Sequence, residues 1–502
     1  MSRLLLHFIV TAQKSCGVLL FAVLLISLVM STTSFAGEST IKPVFLLSEN
    51  TEPSSNKAPA ISFDDTIPDD LFSPAEPAPE ASDLDLSGAL HMRTTFQTQQ
   101  DTAVENNISL RNRLILESKY KNMLTVSAIS DYIFFGSEDK TDDYDLDLWE
   151  AKWQYTDHHF GVSIGRQIIR WGKTDQISPV DTLNPQDMRE FILPEYEDQK
   201  IPVWMADLSF FFDKFTLEGV FIPIFEESKI DYFQTNWSVF GHIKKEIDRT
   251  ALPQALKTYF NDLQVHEKDP ETDAEFGLRL TTTIGAADLG LTFHRTNEDT
   301  PYFKSFPVKN IRVDGSFSPE NLASVLGGAI PTNESIEVEY KRTTIAGFEF
   351  ETTLGDFGIR GEAAWQENES FLTSSLTSIR TPTVIYIIGS DYTTRGDVYL
   401  NLQFVHKHIA DYTPEILYFD RNTYTFLGEI SRNIISDWLE ASLEFSKTMN
   451  TNEWYLSPQF KYTYITNLEC RIGAGLFAGD TDTWLGRFKD NDLLFFNISY
   501  QF

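Results

Sequence analysis

The chain is poor in cysteine, in long apolar runs and in positive charge. Two cysteines, Cys16 and Cys470, stand among 502 residues, too few for a disulfide framework. One apolar run of any length exists, at the N-terminus. That excludes a bundle of membrane helices, each of which needs about 20 apolar residues. Lys+Arg number 41 against 73 Asp+Glu, a formal charge of −32, which repels phosphate and argues against nucleic-acid binding. What is abundant excludes disorder throughout: aromatics make up 13% of the chain, with 39 Phe, more than an unfolded polymer carries. No soluble-enzyme signature accompanies this composition.

Residues 1–36 read as a secretory signal peptide. Arg3 and Lys14 are positive, 17–30 is apolar, and Ser34-Phe35-Ala36 places small residues at −3 and −1 of a cleavage site. Cys16 precedes the apolar core, so it is no lipoprotein cysteine. Residues 37–83 change character. Pro43, Pro53, Pro59, Pro68, Pro74, Pro77 and Pro79 fall here among many acids, which reads as a flexible periplasmic leader unable to bury a core. Part of it, Val44–Leu47 or Leu71-Phe72, is an alternative candidate for a plug.

From residue 84 to 502 the dominant signal is period two, the signature of strands with two different faces. In the last strand Leu494, Phe496, Ile498, Tyr500 and Phe502 share one face, while Phe495, Asn497, Ser499 and Gln501 share the other. The alternation and the terminal Phe resemble the C-terminal assembly signal of bacterial outer-membrane β-barrels. Leu439, Ala441, Leu443 and Phe445 likewise alternate with Glu440, Ser442, Glu444 and Ser446. Alternation alone does not separate a soluble sandwich from a transmembrane barrel, but regularity does. Ten residues at about 3.3 Å, tilted about 40°, span the apolar band of an outer-membrane barrel, roughly 25 Å. Tyr120, Trp153, Tyr155, Trp365, Trp438 and Trp454 stand near strand ends, as interfacial girdles require.

The fold expected is all-β, a transmembrane antiparallel barrel with long extracellular loops. Strands are read near 84–98, 107–119, 122–134, 145–155, 159–171, 203–213, 215–224, 274–284, 287–296, 336–354, 357–367, 395–408, 422–433, 436–448, 453–464, 467–477 and 491–502. Single-chain bacterial barrels have even strand numbers, so a short strand at 384–389 is added. The expectation is eighteen strands, with sixteen as the alternative. Every short connection then falls on the periplasmic side. Of the long ones, 172–202 is the natural constriction of a wide barrel, 225–273 carries a helical stretch near 239–263, and 297–335 suits a lid.

The third loop holds the most informative run: Gly165-Arg166-Gln167-Ile168-Ile169-Arg170-Trp171-Gly172-Lys173-Thr174-Asp175, then Pro179-Val180-Asp181-Thr182-Leu183-Asn184-Pro185-Gln186-Asp187. It resembles a family of porin-like outer-membrane barrels that bears a domain-of-unknown-function label and is often encoded beside efflux-type (RND) transporters. The resemblance implies the barrel over the whole mature chain and suggests traffic in hydrophobic compounds. Read physically, Asn184 caps and Pro185 starts a short helix through Phe191. Arg166, Arg170, Lys173, Asp175, Asp181, Asp187 and Arg189 set mixed charge where a loop narrows the pore, a recurrent selectivity device. The competing reading is that they pair with one another and pin the loop to the wall.

Arg111, Arg113, Glu117, Arg279, Arg360, Glu362, Lys461 and Arg471 are the lumen-wall candidates, and a lumen of mixed sign is expected. Unpaired charges facing lipid would cost about 2–4 kcal/mol near the midplane. No catalytic residue, metal or cofactor site is expected: His406 and His408 share a strand face without a nearby nucleophile, and no phosphate-cradling glycine loop occurs. The function expected is a porin-like channel for small or hydrophobic solutes; the alternative is a non-conducting surface barrel for adhesion or envelope structure. The partners expected are outer-membrane lipid and lipopolysaccharide, the barrel-insertion machinery and, from the resemblance, an efflux-type transporter. A homotrimer is one assembly open to such a barrel.

Overall fold

The computed structural model describes residues 84–502 except 99–107, 122, 136–141, 234, 242–243, 245–246, 248–249, 271, 273, 310–324, 326–329 and 333–334. The signal and leader readings, with the plug alternative, lie outside the described residues.

Eighteen antiparallel strands close into one barrel. They are β1 (Leu84–Gln97), β2 (Ile108–Tyr120), β3 (Leu124–Phe134), β4 (Asp142–Thr156), β5 (Phe160–Gln167) and β6 (Val203–Phe211). Next come β7 (Phe215–Ile222), β8 (Glu275–Ile284), β9 (Ala287–Asn297), β10 (Arg342–Leu354), β11 (Phe357–Leu372) and β12 (Ser378–Thr393). The wall is completed by β13 (Val398–Ile409), β14 (Asn422–Ile435), β15 (Leu439–Thr448), β16 (Trp454–Tyr462), β17 (Leu468–Ala478) and β18 (Leu493–Gln501). Each strand pairs with its sequence neighbours, and β18 pairs with β1 from Ala89↔Gln501 to Gln97↔Leu493. At that seam Phe502 N donates to Gly88 O at 2.9 Å and Gly88 N to Phe502 O at 2.7 Å. The Phe502 ring lies where a Cβ on Gly88 would be, 2.5 Å away, so this position excludes a side chain.

Burial is inverted relative to a soluble sheet. Leu278 and Leu291 are 52% and 56% exposed, whereas Glu349 and Glu362 are 0% and 2% exposed. An apolar exterior around a charged interior is the arrangement lipid imposes on a closed barrel. Aromatic pairs ring the short-turn end: Trp153 with Tyr155, Phe212 with Phe215, Phe357 with Tyr392, Trp438 with Tyr462, and Tyr500 with Phe502. Short turns mark the periplasmic end and long loops the extracellular end. Trp454 begins its strand at the extracellular end, and Trp365 lies within β11.

Four sequence expectations are corrected. The short strand at 384–389 is the middle of the 16-residue β12; its flanking Thr and Arg residues hid its length. The run at 336–354 is two strands, because Ile336–Glu339 pairs in parallel with Val265–Lys268 outside the barrel and the wall strand starts at Arg342. The strand expected to reach residue 171 stops at Gln167, where the chain turns inward. The helix expected from Pro185 to Phe191 is absent; a single turn forms at Tyr196–Gln199 instead.

The extracellular loops fold into a cap. Val265–Lys268, Ile336–Glu339 and Tyr302–Ser305 form a small sheet, accompanied by the helix Gln254–Asn261. Phe240, Phe260, Phe303, Ile336, Val338 and Leu417 bury its core. Below the cap the wall has a short sector: β5, β6 and β7 have 8, 9 and 8 residues beside the 15 of β4. Pairing of β4 with β5 runs only from Ala151↔Arg166 to Thr156↔Gly161. Side chains fill the remainder, with Arg166 donating to Leu148 O at 3.0 Å and Lys229 pairing with Asp145 at 2.7 Å.

Candidate functional site

The segment between β5 and β6, residues 168–202, folds into the barrel and is held there by side chains distant in sequence. Gly172 has φ +102°, and a Cβ there would meet Ser178 Oγ at 2.3 Å and Glu362 Oε1 at 2.8 Å. Only glycine tolerates both the conformation and the approach. The Glu362 carboxylate, on β11, is the reason for the approach. Its Oε1 accepts from the Lys173 and Thr174 amides at 2.5 and 2.7 Å, and its Oε2 accepts from Ser178 Oγ at 2.6 Å. Glu362 therefore anchors the loop by accepting from its amides and hydroxyls, donors that satisfy a carboxylate as well as cations do.

Trp171 follows the turn inward. It is 1% exposed and packs among Leu183, Val203, Met205, Val220 and Ile222. Its ring nitrogen donates to Glu218 at 2.8 Å, and its backbone amide donates to Asp181 Oδ1 at 3.1 Å. Asp181 pairs with Lys200 at 2.5 Å, and Lys200 Nζ also donates to Ile169 O at 2.9 Å. Asn184 is no helix cap. Its Oδ1 accepts from Ile169 N and its Nδ2 donates to Gln167 O and Ile201 O. The residue thus ties the entrance of the loop to its exit, and the expected helix loses its cap to this staple.

The loop's far side is pinned by a buried ionic network. Arg111 contacts Asp131 at 2.6 Å, Asp187 at 2.5 Å and Glu190 at 2.7 Å; Arg189 contacts Asp187 at 2.8 Å and Asp143 at 2.8 Å. Arg113 stands 3.8 Å from both Asp131 and Asp187. Burial alone would raise the carboxyl of Asp187, but Arg111 and Arg189 hold it far below the usual range. Glu190 is buried as well and lies below its ordinary value because Arg93 and Arg111 face it.

All seven constriction candidates therefore have partners. Arg166 closes the short wall sector with Glu226 and Asp147, Arg170 pairs with Glu197, and Lys173 reaches Glu351 at 3.3 Å. Asp175 takes Arg360 at 2.6 Å and Asn401 at 2.8 Å. Asp181, Asp187 and Arg189 are engaged as described above. Among the wall candidates, Arg111, Arg113, Arg360 and Glu362 hold the loop, and Arg279 pairs with Glu349 beneath Trp171. Lys461 meets Glu440 at 2.9 Å, Glu117 meets Lys119 at 2.7 Å, and Arg471 contacts Glu469 at 2.5 Å and also Glu195.

With the loop pressed against β2, β3, β10 and β11, a cavity of about 1390 Å³ remains on its other side. Thr463, Ile465 and Asn467 line it at the periplasmic end, and Trp484 and Leu485 line it under the cap. Glu195 and Arg471 both line this space, and their ion pair joins the loop to β17. The sequence reading passed over Asp131, Glu190, Glu195, Asp198 and Glu429. For Glu429 a signal was present, since the polar face of β14 carries it; the loop acids had no periodicity to reveal them. His406 and His408 lie on the outer face, where both face the Asn422 side-chain oxygen at 3.1 and 2.8 Å and His406 stacks on Tyr424.

A closed eighteen-stranded barrel with an apolar exterior, a polar interior and an inserted loop defines a porin-like transmembrane β-barrel of the bacterial outer membrane. The chain belongs to the family described as "Protein of unknown function (DUF1302)", which matches residues 81–502. No curated protein matches it. Among solved structures, it is similar to OccK2 (OpdF) of Pseudomonas aeruginosa in complex with glucuronate, at 12% identity and a TM-score of 0.45, covering 84% of this chain and 98% of that one. A BenF-like porin from Pseudomonas fluorescens Pf-5 gives 11% identity and a TM-score of 0.46, covering 84% and 98%. Similarity at this level carries no inference about solutes.

Proposed function

We propose that the protein is a passive outer-membrane channel for small or hydrophobic solutes, narrowed by residues 172–202. The observation that carries this reading is the cavity of about 1390 Å³ beside the loop, reaching the periplasmic mouth. A barrel whose loop served only as packing would have no reason to keep polar wall residues such as Gln459 and Ser499 facing open space. Of the sequence candidates, Asp175 and Asp181 border this space from the loop, and Arg111, Arg113 and Arg471 line it from the wall. Steady conductance steps in planar bilayers, altered by Arg471→Ala, are expected; a silent bilayer with correctly inserted protein would refute the reading.

A second reading, a non-conducting surface barrel, draws support from the cap. Its buried core and the cluster of Phe191, Phe477, Leu485 and Phe488 lie on the extracellular side. Replacing cap residues without effect on flux, but with loss of surface assembly, would favour it. We further propose lipopolysaccharide around the barrel, insertion machinery acting on the β18 signal and an efflux-type transporter as partners, and a homotrimer as the assembly.

A further inference from the structure

The third loop sorts its charges. Its cations turn toward the wall or its own carboxylates: Lys173 to Glu351, Arg189 to Asp131 and Asp143, Lys200 to Asp181, and Arg170 to Glu197. Among the described residues, none of these four lines the cavity, whereas Glu195, Glu197 and Asp198 of the same loop do. The facing wall repeats the bias. Glu429 on β14 and Glu444 on β15 are directly opposite in register and both line the cavity. Like charges so placed destabilise a sheet, and neither forms an ion pair among the described residues. Among the described residues of the lining, four arginines and no lysine stand against a dozen carboxylates. Arg93, Arg111 and Arg113 are matched by Asp131, Asp187 and Glu190 at the loop's anchored side. Among the described residues, Arg471 is left as the one cation at the passage, shared between Glu195 and Glu469.

We propose that this passage selects for cations, and that its organic substrates are small amines and other positively charged solutes. On this proposal the wall is of mixed sign, while the open space sees an excess of carboxylates. Because charges line both the loop and the facing wall, a permeating ion meets them from two sides, the arrangement of a charged selectivity ring. In water at ordinary salt, one carboxylate about 8 Å from an ion favours a cation over an anion roughly twofold. Four such groups give roughly tenfold. The proposal rests on the channel reading and adds the sign of the solute.

The test is the reversal potential of the full-length protein in a planar bilayer under a KCl gradient. The expected permeability ratio of K⁺ over Cl⁻ is roughly tenfold, falling about fourfold in the Glu429→Gln/Glu444→Gln double variant and rising about twofold in Arg471→Gln. Relieving a like-charge pair does not endanger folding, so the double variant remains informative. In liposomes, tetraethylammonium uptake is expected to exceed that of benzenesulfonate. A conducting protein with a ratio at or below one, or a ratio unmoved by the double variant, overturns the inference while leaving the channel reading intact. Absence of conductance overturns both.

Discussion

Replacing Asp187 by Asn tests how the third loop is held. Asp187 is 4% exposed and accepts from Arg111 at 2.5 Å and Arg189 at 2.8 Å. Removing one member of a buried ionic network costs about 3–5 kcal/mol, since the partners remain buried without their counter-charge. Asn keeps some hydrogen bonding, and Asp131 still neutralises part of the charge, so about 3 kcal/mol is the relevant figure. That raises the population of loop-released barrels roughly a hundredfold. Native-state hydrogen exchange reads it at the Met188 amide, bonded to Lys229 O at 2.8 Å, and at the Ile201 amide, bonded to Pro185 O at 2.8 Å. The sign with pH follows from the depressed carboxyl. The wild-type contribution is fully present above the ordinary carboxylate range and is lost progressively as pH falls from that range to the depressed folded value. Wild-type protection should therefore stay flat from neutral pH down to about 5, and protection in the variant should be roughly a hundredfold lower throughout that range. Unchanged exchange at both amides, with barrel amides also unchanged, would refute the argument that the network pins the loop.

Three further outcomes follow. Trp171→Ala empties the site among Leu183, Val203 and Val220 and should destabilise loop docking by about 3–5 kcal/mol, measured by the same exchange experiment. Gly88→Leu forces a side chain into the Phe502 ring at the β1–β18 seam and should lower the yield of heat-resistant folded barrel on gels; wild-type yield would show that the seam relaxes freely. Glu298, beyond the end of β9, is pushed up to about 7 by burial despite Ser370 and Arg380. A carboxyl raised in the folded state contributes stability present below its ordinary value and lost as pH rises through about 7. Urea unfolding should show that decline between pH 5 and 8, about 1–3 kcal/mol, and Glu298→Gln should flatten it.

The barrel was legible because lipid imposes period two on every strand, and the alternation survives without knowledge of any contact. Parity in strand number then demanded a strand where only Val384–Gly389 looked apolar, and the full β12 was longer because Thr381 and Thr383 face the interior and Ser378 is buried against Phe303 of the cap. The cap was not legible. Ile336–Glu339 alternates like a wall strand, and only its parallel partner, about seventy residues earlier, assigns it to another sheet. The loop's chemistry was legible in type but not in pairing. The sequence shows that Asp187, Arg189 and Arg111 carry charge; it does not show that Ser178 meets Glu362 across 184 positions or that Asn184 is occupied as a staple. Long-range contact decides which charges face the lumen, and a list of charged wall residues does not show that.

The central claim is an aqueous passage between the loop and the wall beside Glu195 and Arg471. Its most direct measurement is conductance of a Glu195→Cys variant in a Cys470→Ser background, before and after a bulky thiol-reactive reagent is added from the aqueous phase. The passage predicts steady conductance beforehand and a marked fall on modification, while the Cys470→Ser parent is unaffected. Complete modification of the cysteine with conductance unchanged would contradict it.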